Sequence, residues 1–418
     1  MSDSAPPSPL VVAFRGERYT REGDLSNLLA PPYDVISRKQ RGQLAKRDKH
    51  NIVHLTLPEG DEGKYRQAAA LLNQWRDEDE LRVDSADSVY VVQQEFSTPD
   101  GRQLVRTGVI GAVAVEPFSH GRVKPHEKTH AEPKADRLAL MRKTNAMFEV
   151  LLMLTRDEDG SLKRALQNIV VSTEATARAE LDDVTIAYWR VGGEKAFEIA
   201  TAAGAHGLYV ADGHHRYETA IAYREENQLA DRTLGLIVSL GDPGLIVLPT
   251  HRIVYGDSFD GEEVVEGLRE RFQIHELPAE VDYSKHLSEL EDRGTACILV
   301  RRKANAVALL LKPGAKLGDL PFANEPAVAS LGVARVDELV VKRLVTRAGK
   351  SGRLGYSADS DYVLDEVSRG HAVAGVLLNP TSVEEVLAVS DSGAVMPQKA
   401  TYFMPKVPSG LVFLSYGG

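Results

Sequence analysis

One short segment combines the residue types that bind phosphate groups. The run Asp212-Gly213-His214-His215-Arg216, here called the Asp212–Arg216 turn, follows an apolar stretch and precedes a helix-like pattern. The first amides of a helix have no intrahelical partners and carry the positive end of its dipole, so they attract anions. A glycine lets a ligand approach the backbone, and a guanidinium binds phosphate oxygens through two bonds. We therefore predict that Gly213, His215 and Arg216 bind a nucleotide.

Two further side chains of this turn have chemistry of their own. His214 is predicted as a catalytic proton carrier, because imidazole titrates near neutral pH. Asp212 is predicted both as a catalytic residue and as the ligand of a metal ion. Each has a structural alternative, since one of two adjacent histidines can lie in the core and an aspartate can simply cap the following helix.

A second group of reactive side chains lies in a polar stretch at 116–144. Here His126, Glu127, Lys128 and Thr129 offer an imidazole, a carboxylate, an ammonium and a hydroxyl in sequence. We predict Glu127 as a catalytic residue and the other three as nucleotide-binding residues. A solvated charged loop is the alternative.

Two weaker signals complete the set. Asp34 follows Pro31 and Pro32, which fix an extended backbone, and it is predicted as a catalytic residue that holds a hydroxyl or amine group. An Asx turn is the alternative. The pair His251-Arg252 also ends an apolar run, but it lacks a glycine and is therefore a weaker indication of a binding site.

These side chains need secondary structure to position them. Apolar spacing predicts a helix over 65–75 and another after residue 217. Strands are predicted at 88–96, 104–115 and 208–211. The stretch 116–144 is predicted as a long polar connection in which either Arg137 or Lys134 covers the nucleotide as a mobile lid. Because helices and strands alternate along the chain, the fold class is predicted to be α/β or α+β.

The length of 418 residues predicts more than one folding unit. We expect a disordered tail at 1–9, a catalytic domain that binds nucleotide or phosphate at 10–255, and a C-terminal α/β domain at 256–418. The boundary is placed where the pattern of residues along the sequence changes.

Composition limits the classes of function. With 43% hydrophobic and 26% charged residues the chain is typical of a soluble globular protein, and a net charge of −10 argues against duplex DNA as a partner. The single cysteine, Cys297, lies in an apolar run like a buried hydrophobe. Without a secretory signal or a membrane-length apolar run, the chain is expected to be cytoplasmic and to have no membrane partner. Motifs of P-loop, Rossmann, α/β-hydrolase and zinc-ribbon proteins are missing.

Five motifs, at 30–36, 123–129, 211–219, 248–254 and 396–406, together resemble a prokaryotic family known as domain-of-unknown-function family 1015. The resemblance covers nearly the whole chain. The Asp212–Arg216 turn also resembles the phosphate-binding box of the ParB/sulfiredoxin superfamily, which includes sulfiredoxins, CTP-switching partition proteins and free-serine kinases. This resemblance implies a ParB/sulfiredoxin-like N-terminal portion. Sulfiredoxin chemistry is excluded because the turn has no cysteine, and no helix-turn-helix candidate supports partition-type DNA binding.

The resemblance implies a nucleotide-dependent phosphotransferase that uses ATP or ADP with Mg²⁺. Its substrate would be a small hydroxylated metabolite, with serine as the first choice. Two alternatives stay open: a phosphoserine phosphatase that uses the same site, and a non-catalytic regulatory protein that binds a nucleotide or metabolite. The oligomeric state is also open, with a homo-oligomer among the alternatives.

Overall fold

The computed structural model of the protein describes residues 8–61, 63–129, 131–278 and 280–417. The chain forms two compact units. The first contains the residues up to Pro125, Thr129–Leu245 and the residues from Pro405, and the second contains His126–Lys128 and Ile246–Met404. Most of the tail predicted at 1–9 lies outside the described residues.

Short strands and helices alternate along the first unit. Its strands are β1 (Val11–Val12), β2 (Glu17–Tyr19), β3 (Gly23–Asp24), β4 (Leu81–Val83), β5 (Ser88–Ser97), β6 (Gln103–Ala114), β7 (Val123–Lys124), β8 (Ala146–Met147), β9 (Leu151–Thr155), β10 (Ala177–Leu181), β11 (Val184–Gly192), β12 (Leu208–Asp212) and β13 (Arg232–Ser239). Its helices are α1 (Arg38–Arg47), α2 (Val53–Thr56), α3 (Lys64–Asp77), α4 (Ala131–Thr144), α5 (Ser161–Ser172), α6 (Gly193–Gly204) and α7 (His214–Glu226), with 3₁₀ turns at Tyr33–Val35 and Phe118–His120.

The large sheet of the first unit has the order β3-β10-β11-β5-β6-β13-β9-β12-β7, and β1 also pairs with β6. β5 and β6 confirm the strands predicted at 88–96 and 104–115 and form an antiparallel hairpin, in which the amide of Arg102 donates to the Thr98 hydroxyl oxygen at 3.0 Å. β12 is antiparallel to β9 and parallel to β7. α6 packs against β5, β6 and β11, whereas α7 contacts β13 and α4.

The helix predicted from apolar spacing is present, and a further helix forms where a polar connection was predicted. α3 confirms the helix predicted over 65–75, since Ala68, Leu72 and Trp75 are buried on one face. The long polar connection predicted at 116–144 is wrong over its second half, where the chain forms α4. Leu140 and Met141 are buried there, and α4 packs against α3 and α7, so tertiary packing stabilises a helix whose sequence is mostly polar.

The second unit has the strands β14 (Ile246–Leu248), β15 (His251–Tyr255), β16 (Phe272–Glu276), β17 (Ala296–Arg301), β18 (Val307–Leu311), β19 (Arg353–Ser357), β20 (Ala374–Leu378) and β21 (Tyr402–Met404). Its helices are α8 (Gly261–Leu268), α9 (Tyr283–Glu291), α10 (Pro326–Ala329), α11 (Gly332–Val336), α12 (Lys342–Arg347), α13 (Ser360–Ser368) and α14 (Val383–Ser392), with a π-helical turn at Asp337–Val341. A last strand, β22 (Leu414–Ser415), belongs to the first unit and pairs with β8.

The main sheet of the second unit is antiparallel throughout, in the order β16-β18-β17-β20-β15-β19. Its core includes Ile253, Ile298, Ala308 and Leu377. Cys297 is fully buried, and burial raises the pKa of its thiol well above the usual range. The prediction that Cys297 behaves as a small hydrophobe is confirmed.

The mixed α/β class predicted from the sequence is confirmed in both units. The units divide at Leu245, ten residues before the boundary expected at 255/256, because β15 pairs with β19 and β20 of the second sheet. The residues from Pro405 onwards join the first unit, where Phe413 pairs with Glu17 and Ser409 pairs with Ala30. Within the described chain, every helix is too short or too polar to cross a bilayer.

Candidate active site

The Asp212–Arg216 turn has the predicted local structure. β12 ends at Asp212, Gly213 takes a left-handed backbone with φ 102°, and α7 begins at His214. A Cβ atom at position 213 would lie 3.0 Å from both the Arg216 guanidinium carbon and a Leu151 methyl carbon, so both backbone and packing require glycine. Gly213, the residue before α7, has no side chain with which to cap the helix. Because the first amides of a helix carry the positive end of its dipole, an anion is favoured at this position.

The carboxylate of Asp212 lies between two cations. Its Oδ2 accepts from Arg216 Nη2 at 2.6 Å, and its Oδ1 accepts from Lys406 Nζ at 2.6 Å. Arg216 is only 3% exposed and also donates from Nη1 to the Val150 carbonyl at 2.8 Å. Burial opposes its charge, but the carboxylates of Asp212, Glu149 and Asp34 outweigh burial and raise the Arg216 pKa. Arg216 thus carries a permanent positive charge directly beside Gly213.

A buried ion pair between Glu149 and Arg137 contacts the turn at Tyr33. Glu149 accepts the backbone N–H of Tyr33 at 3.1 Å through Oε1 and contacts Arg137 Nη1 at 3.3 Å through Oε2. The same Arg137 nitrogen donates to the Thr56 carbonyl at 2.7 Å, and the guanidinium lies 4.1 Å from the centre of the Tyr33 ring. Arg137 is buried, so the lid role is wrong for this residue, and the alternative, Lys134, stays a prediction.

Tyr33 and Asp34 occupy the 3₁₀ turn that follows the two prolines. Burial, assisted by the nearby carboxylates of Glu149 and Asp34, raises the pKa of Tyr33 to about 12, so its phenol keeps its proton at neutral pH. Asp34 is exposed and, among the described residues, has no hydrogen bond or ion pair, yet its charge acts on both Tyr33 and Arg216. The structure therefore places a solvent-accessible carboxylate within electrostatic range of the buried cation under the turn.

The two histidines of the turn differ in exposure. His214 is buried, whereas His215 is half-buried, and the His215 carbonyl accepts the Thr219 hydroxyl at 2.7 Å. The catalytic role predicted for His214 and the ligand-binding role predicted for His215 both stay predictions.

The second predicted cluster is divided between the units. His126, Glu127 and Lys128 belong to the second unit, where His126 is buried with Nε2 3.2 Å from the Thr401 hydroxyl and Lys128 is exposed. Thr129 belongs to the first unit, and its hydroxyl donates to Glu218 on α7 at 2.6 Å. The structure thus places Thr129 against the helix of the turn, and the roles of all four residues stay predictions.

The predicted metal role of Asp212 meets an electrostatic obstacle. Each of its carboxylate oxygens already pairs with a cation, so a divalent ion bound there would have to displace Lys406 or share the carboxylate with it. The arrangement does not favour Mg²⁺ at Asp212. The metal assignment stays a prediction, and no step described below depends on it.

The sequence interpretation assigned no role to Tyr33, Lys406 and Glu149, and it gave Arg137 a different role, in a mobile lid. Tyr33 and Lys406 lie within two of the family motifs, at 30–36 and 396–406, and those motifs could have pointed to them. Glu149 and Arg137 carried no such signal. Both act through contacts with the turn after Pro32, more than 100 residues away in sequence.

Comparisons with solved structures show weak similarity over much of the chain. A conserved hypothetical protein from Pyrococcus furiosus is 16% identical with a TM-score of 0.36, over 70% of this chain and 91% of that one. A free serine kinase in complex with AMP is 17% identical with a TM-score of 0.37, over 71% and 88%. SbnI with a C-terminal truncation, from Staphylococcus aureus, is 11% identical with a TM-score of 0.38, over 72% and 86%.

No curated protein sequence matches the chain. The sequence profile of one family, described as protein of unknown function DUF1015, matches residues 11–335. This match spans the whole Asp212–Arg216 turn and the turn at Tyr33 and Asp34. The chain therefore belongs to the DUF1015 family, as its five motifs predicted.

Proposed function

We propose that the protein is a nucleotide-dependent phosphotransferase that acts on a small hydroxylated metabolite. The observation that carries this proposal is the start of α7. The helix begins after a left-handed Gly213 and beside the buried cation Arg216, and the accessible carboxylate of Asp34 lies within electrostatic range of that cation. A helix start that favours anions, together with an accessible carboxylate that can act as a base, supports phosphoryl transfer to a hydroxyl group.

The transferring phosphate would bind to the first amides of α7, where the helix dipole favours negative charge. Arg216 acts from beneath this position, because its donors are directed to Asp212 and to the Val150 carbonyl. A buried guanidinium acts through a low-dielectric interior, so its positive potential reaches the turn with little screening. In this proposal Asp212 holds Arg216 and Lys406 in place and is not the proton acceptor.

Asp34 would accept the proton of the substrate hydroxyl. The hydroxyl oxygen attacks the terminal phosphorus of the nucleotide, a new P–O bond forms, and the bond to the bridging oxygen breaks. The electron pair of that bond leaves with the shortened nucleotide, and the proton goes to Asp34. Tyr33 keeps its own proton throughout, since its pKa is raised to about 12, and its hydroxyl can donate a hydrogen bond to a ligand.

Several finer points belong to the same proposal. Serine is the first substrate to test, and either ATP or ADP is the phosphate donor, with Mg²⁺ as its usual companion. The likeness of the turn to the phosphate-binding box of the ParB/sulfiredoxin superfamily supports the nucleotide assignment at the level of the residues Gly213 to Arg216. A cytoplasmic location would supply both nucleotide and substrate.

The test is a product assay. The protein is incubated with Mg²⁺, with ATP or ADP, and with serine, homoserine, threonine or glycerol, and phosphate esters are followed by ³¹P NMR. One hydroxylated compound should gain phosphate in step with nucleotide consumption. Asp34→Asn should lower turnover by a factor on the order of 10² to 10⁴ while nucleotide binding persists. The control Asp87→Asn, an exposed aspartate of the same unit, should leave turnover unchanged.

Two outcomes would overturn the kinase assignment. If calorimetry detects no nucleotide binding, the turn is not a phosphate site. Hydrolysis of phosphoserine without nucleotide would assign the same turn to a phosphatase.

A non-catalytic nucleotide-binding regulatory protein is the second candidate. One observation favours it: Asp212, the carboxylate within the turn, is held by two cations and is therefore a poor base. For such a protein we expect the nucleotide to bind and to remain chemically unchanged after long incubation with every substrate. The nucleotide should also bind equally well to the Asp34→Asn variant.

A further inference from the structure

A cleft of about 540 Å³ lies in the first unit, and none of its lining residues is among those assigned above. One wall is α5, and the other is formed by the start of β6, the end of β13 and residues 242–243. Its size is within the range of cavities that bind small molecules. None of the roles proposed for the Asp212–Arg216 turn uses this cleft.

The cleft contains one negative and one positive group. Asp242 accepts the backbone N–H of Thr107 at 3.1 Å through Oδ2 and that of Gly244 at 2.9 Å through Oδ1. Each of its oxygens keeps further acceptor capacity. Lys163 donates to the Gly241 carbonyl at 3.1 Å, which fixes its ammonium beside Asp242 and leaves two further N–H donors.

The rest of the lining is apolar or uncharged. Leu166, Val170 and Val171 from α5 and Val105 from β6 provide an apolar surface. Val171 and Val105 are 87% and 39% exposed, so this surface is open to solvent in the unliganded protein. Burial of apolar area against these side chains would favour a ligand that has an apolar part.

The charges restrict the class of ligand. A simple anion would meet Asp242, and a simple cation would meet Lys163, so either would place like charges together. A molecule with an ammonium and a carboxylate on neighbouring atoms matches both. Burial raises the pKa of Asp242 even though two backbone N–H groups and the charges of Arg106 and Lys163 oppose that rise, so a ligand ammonium would further favour the charged carboxylate.

We propose that this cleft is a binding site for a zwitterionic α-amino acid with an apolar side chain. The ammonium of the ligand pairs with Asp242, its carboxylate pairs with Lys163, and its side chain lies on Leu166, Val170 and Val105. The site is separate from the phosphotransferase proposal and does not depend on it.

Calorimetry with the full chain tests the site. Leucine, methionine and phenylalanine are titrated beside glycine, N-acetylleucine and leucinamide, which lack the side chain, the ammonium and the carboxylate respectively. The three apolar amino acids should bind, and each of the other compounds should bind about tenfold more weakly or worse, because each lacks a charge-assisted bond or the apolar contact. Equal binding of leucine and its two blocked derivatives would overturn the zwitterion assignment.

Variants locate the binding to the cleft. Lys163→Gln should weaken leucine binding about tenfold, and so should Asp242→Asn. Because Lys163→Gln replaces a half-buried surface side chain, it should fold and can test the site even if Asp242→Asn unfolds. Lys195→Gln, on the exposed face of α6, is the matched control and should bind leucine like the wild type. Asp34→Asn should also bind leucine normally; loss of binding in that variant alone would move the ligand to the proposed substrate site and overturn the proposal.

Discussion

Each unit has a histidine–arginine pair at one end of a strand. His215-Arg216 follows β12 in the first unit, and His251-Arg252 begins β15 in the second unit. The two arginines have different surroundings. In the second unit Arg252 is fully buried, and its Nε and Nη2 donate to Oδ1 and Oδ2 of Asp337, both at 2.9 Å. Its Nη1 donates to the carbonyls of Thr250 and Lys399, and Tyr356 lies against it at 5.2 Å. In this unit the guanidinium cross-links a strand, a π-helical turn and a loop.

In the first unit the same residue types have a different setting. Arg216 is buried and paired, but it lies under a left-handed glycine at the start of a helix. Asp34, within electrostatic range of Arg216, is exposed and has no hydrogen bond or ion pair among the described residues. The difference teaches that the role of a buried arginine depends on its surroundings: Arg252 joins three segments of its unit, whereas Arg216 lies where a helix start favours an anion.

The largest expected effect concerns the second unit. Arg252→Ala removes the partner of Asp337 and leaves the buried Thr250 carbonyl and the Lys399 carbonyl without this donor, so the free energy of unfolding should fall by about 3–5 kcal/mol. Urea unfolding measures this loss. Arg369→Ala breaks an exposed pair with Asp365 and should cost at most about 1 kcal/mol. If the two variants lost equal stability, Arg252 would not be a cross-link.

The next effect is an acid dependence of the second unit. Burial, together with the neighbouring Arg252, lowers the pKa of His251 from 6.5 to about 4, so the folded state keeps this imidazole neutral. The unfolded chain takes up a proton between these values, and stability is therefore lost as the pH falls from about 6.5 to 4, by about 2–3 kcal/mol.

Urea titrations at pH 7, 5.5 and 4.5 measure this dependence. His251→Gln should flatten that part of the profile, whereas His371→Gln, at an exposed histidine, should keep it. An unchanged profile in His251→Gln would show that His251 is accessible to protons in the folded state.

A smaller effect distinguishes the turn of the first unit. Gly213→Ala combines a left-handed backbone with a close approach to Arg216 and Leu151, and should cost about 1–3 kcal/mol of stability and weaken nucleotide binding. Gly193→Ala is the matched control, because φ is also positive there but a Cβ meets no atom within 4 Å. Calorimetric titration of ATP should separate the two variants. Equal nucleotide affinity in both would remove the turn from the binding site.

The smallest expected effect belongs to Lys406. Lys406→Met leaves Asp212 paired with Arg216, so stability should change by about 1 kcal/mol or less. Nucleotide affinity should fall several-fold at low ionic strength and less at high salt, because a long-range charge is lost. Lys342→Met, at an exposed lysine of the second unit, should leave affinity unchanged at every salt concentration. A loss of affinity that salt does not alter would point to direct contact instead.

Local sequence patterns predicted the elements that carry the site. The apolar run before Asp212, the glycine after it and the spacing from Tyr217 onwards predicted a strand, a turn and a helix, and β12, Gly213 and α7 confirm them. The α4 helix was missed because its polar sequence becomes helical through packing against α3 and α7. The unit boundary was displaced for a related reason, since strand pairing of β15 determines its unit and pairing leaves no signature in one chain segment.

The sequence by itself determined the mixed α/β class, the buried cysteine and the turn that presents the amides of α7, because hydrophobic periodicity and a glycine before a helix are local properties. Only the tertiary structure decided which distant groups meet. The ion pair of Lys406 with Asp212 joins residues 194 apart in sequence, and the hydrogen bond from the Tyr33 amide to Glu149 joins residues 116 apart. Such contacts depend on how the strands and helices pack, and that packing decides that Arg252 cross-links its unit while Arg216 lies beneath a left-handed glycine at a helix start.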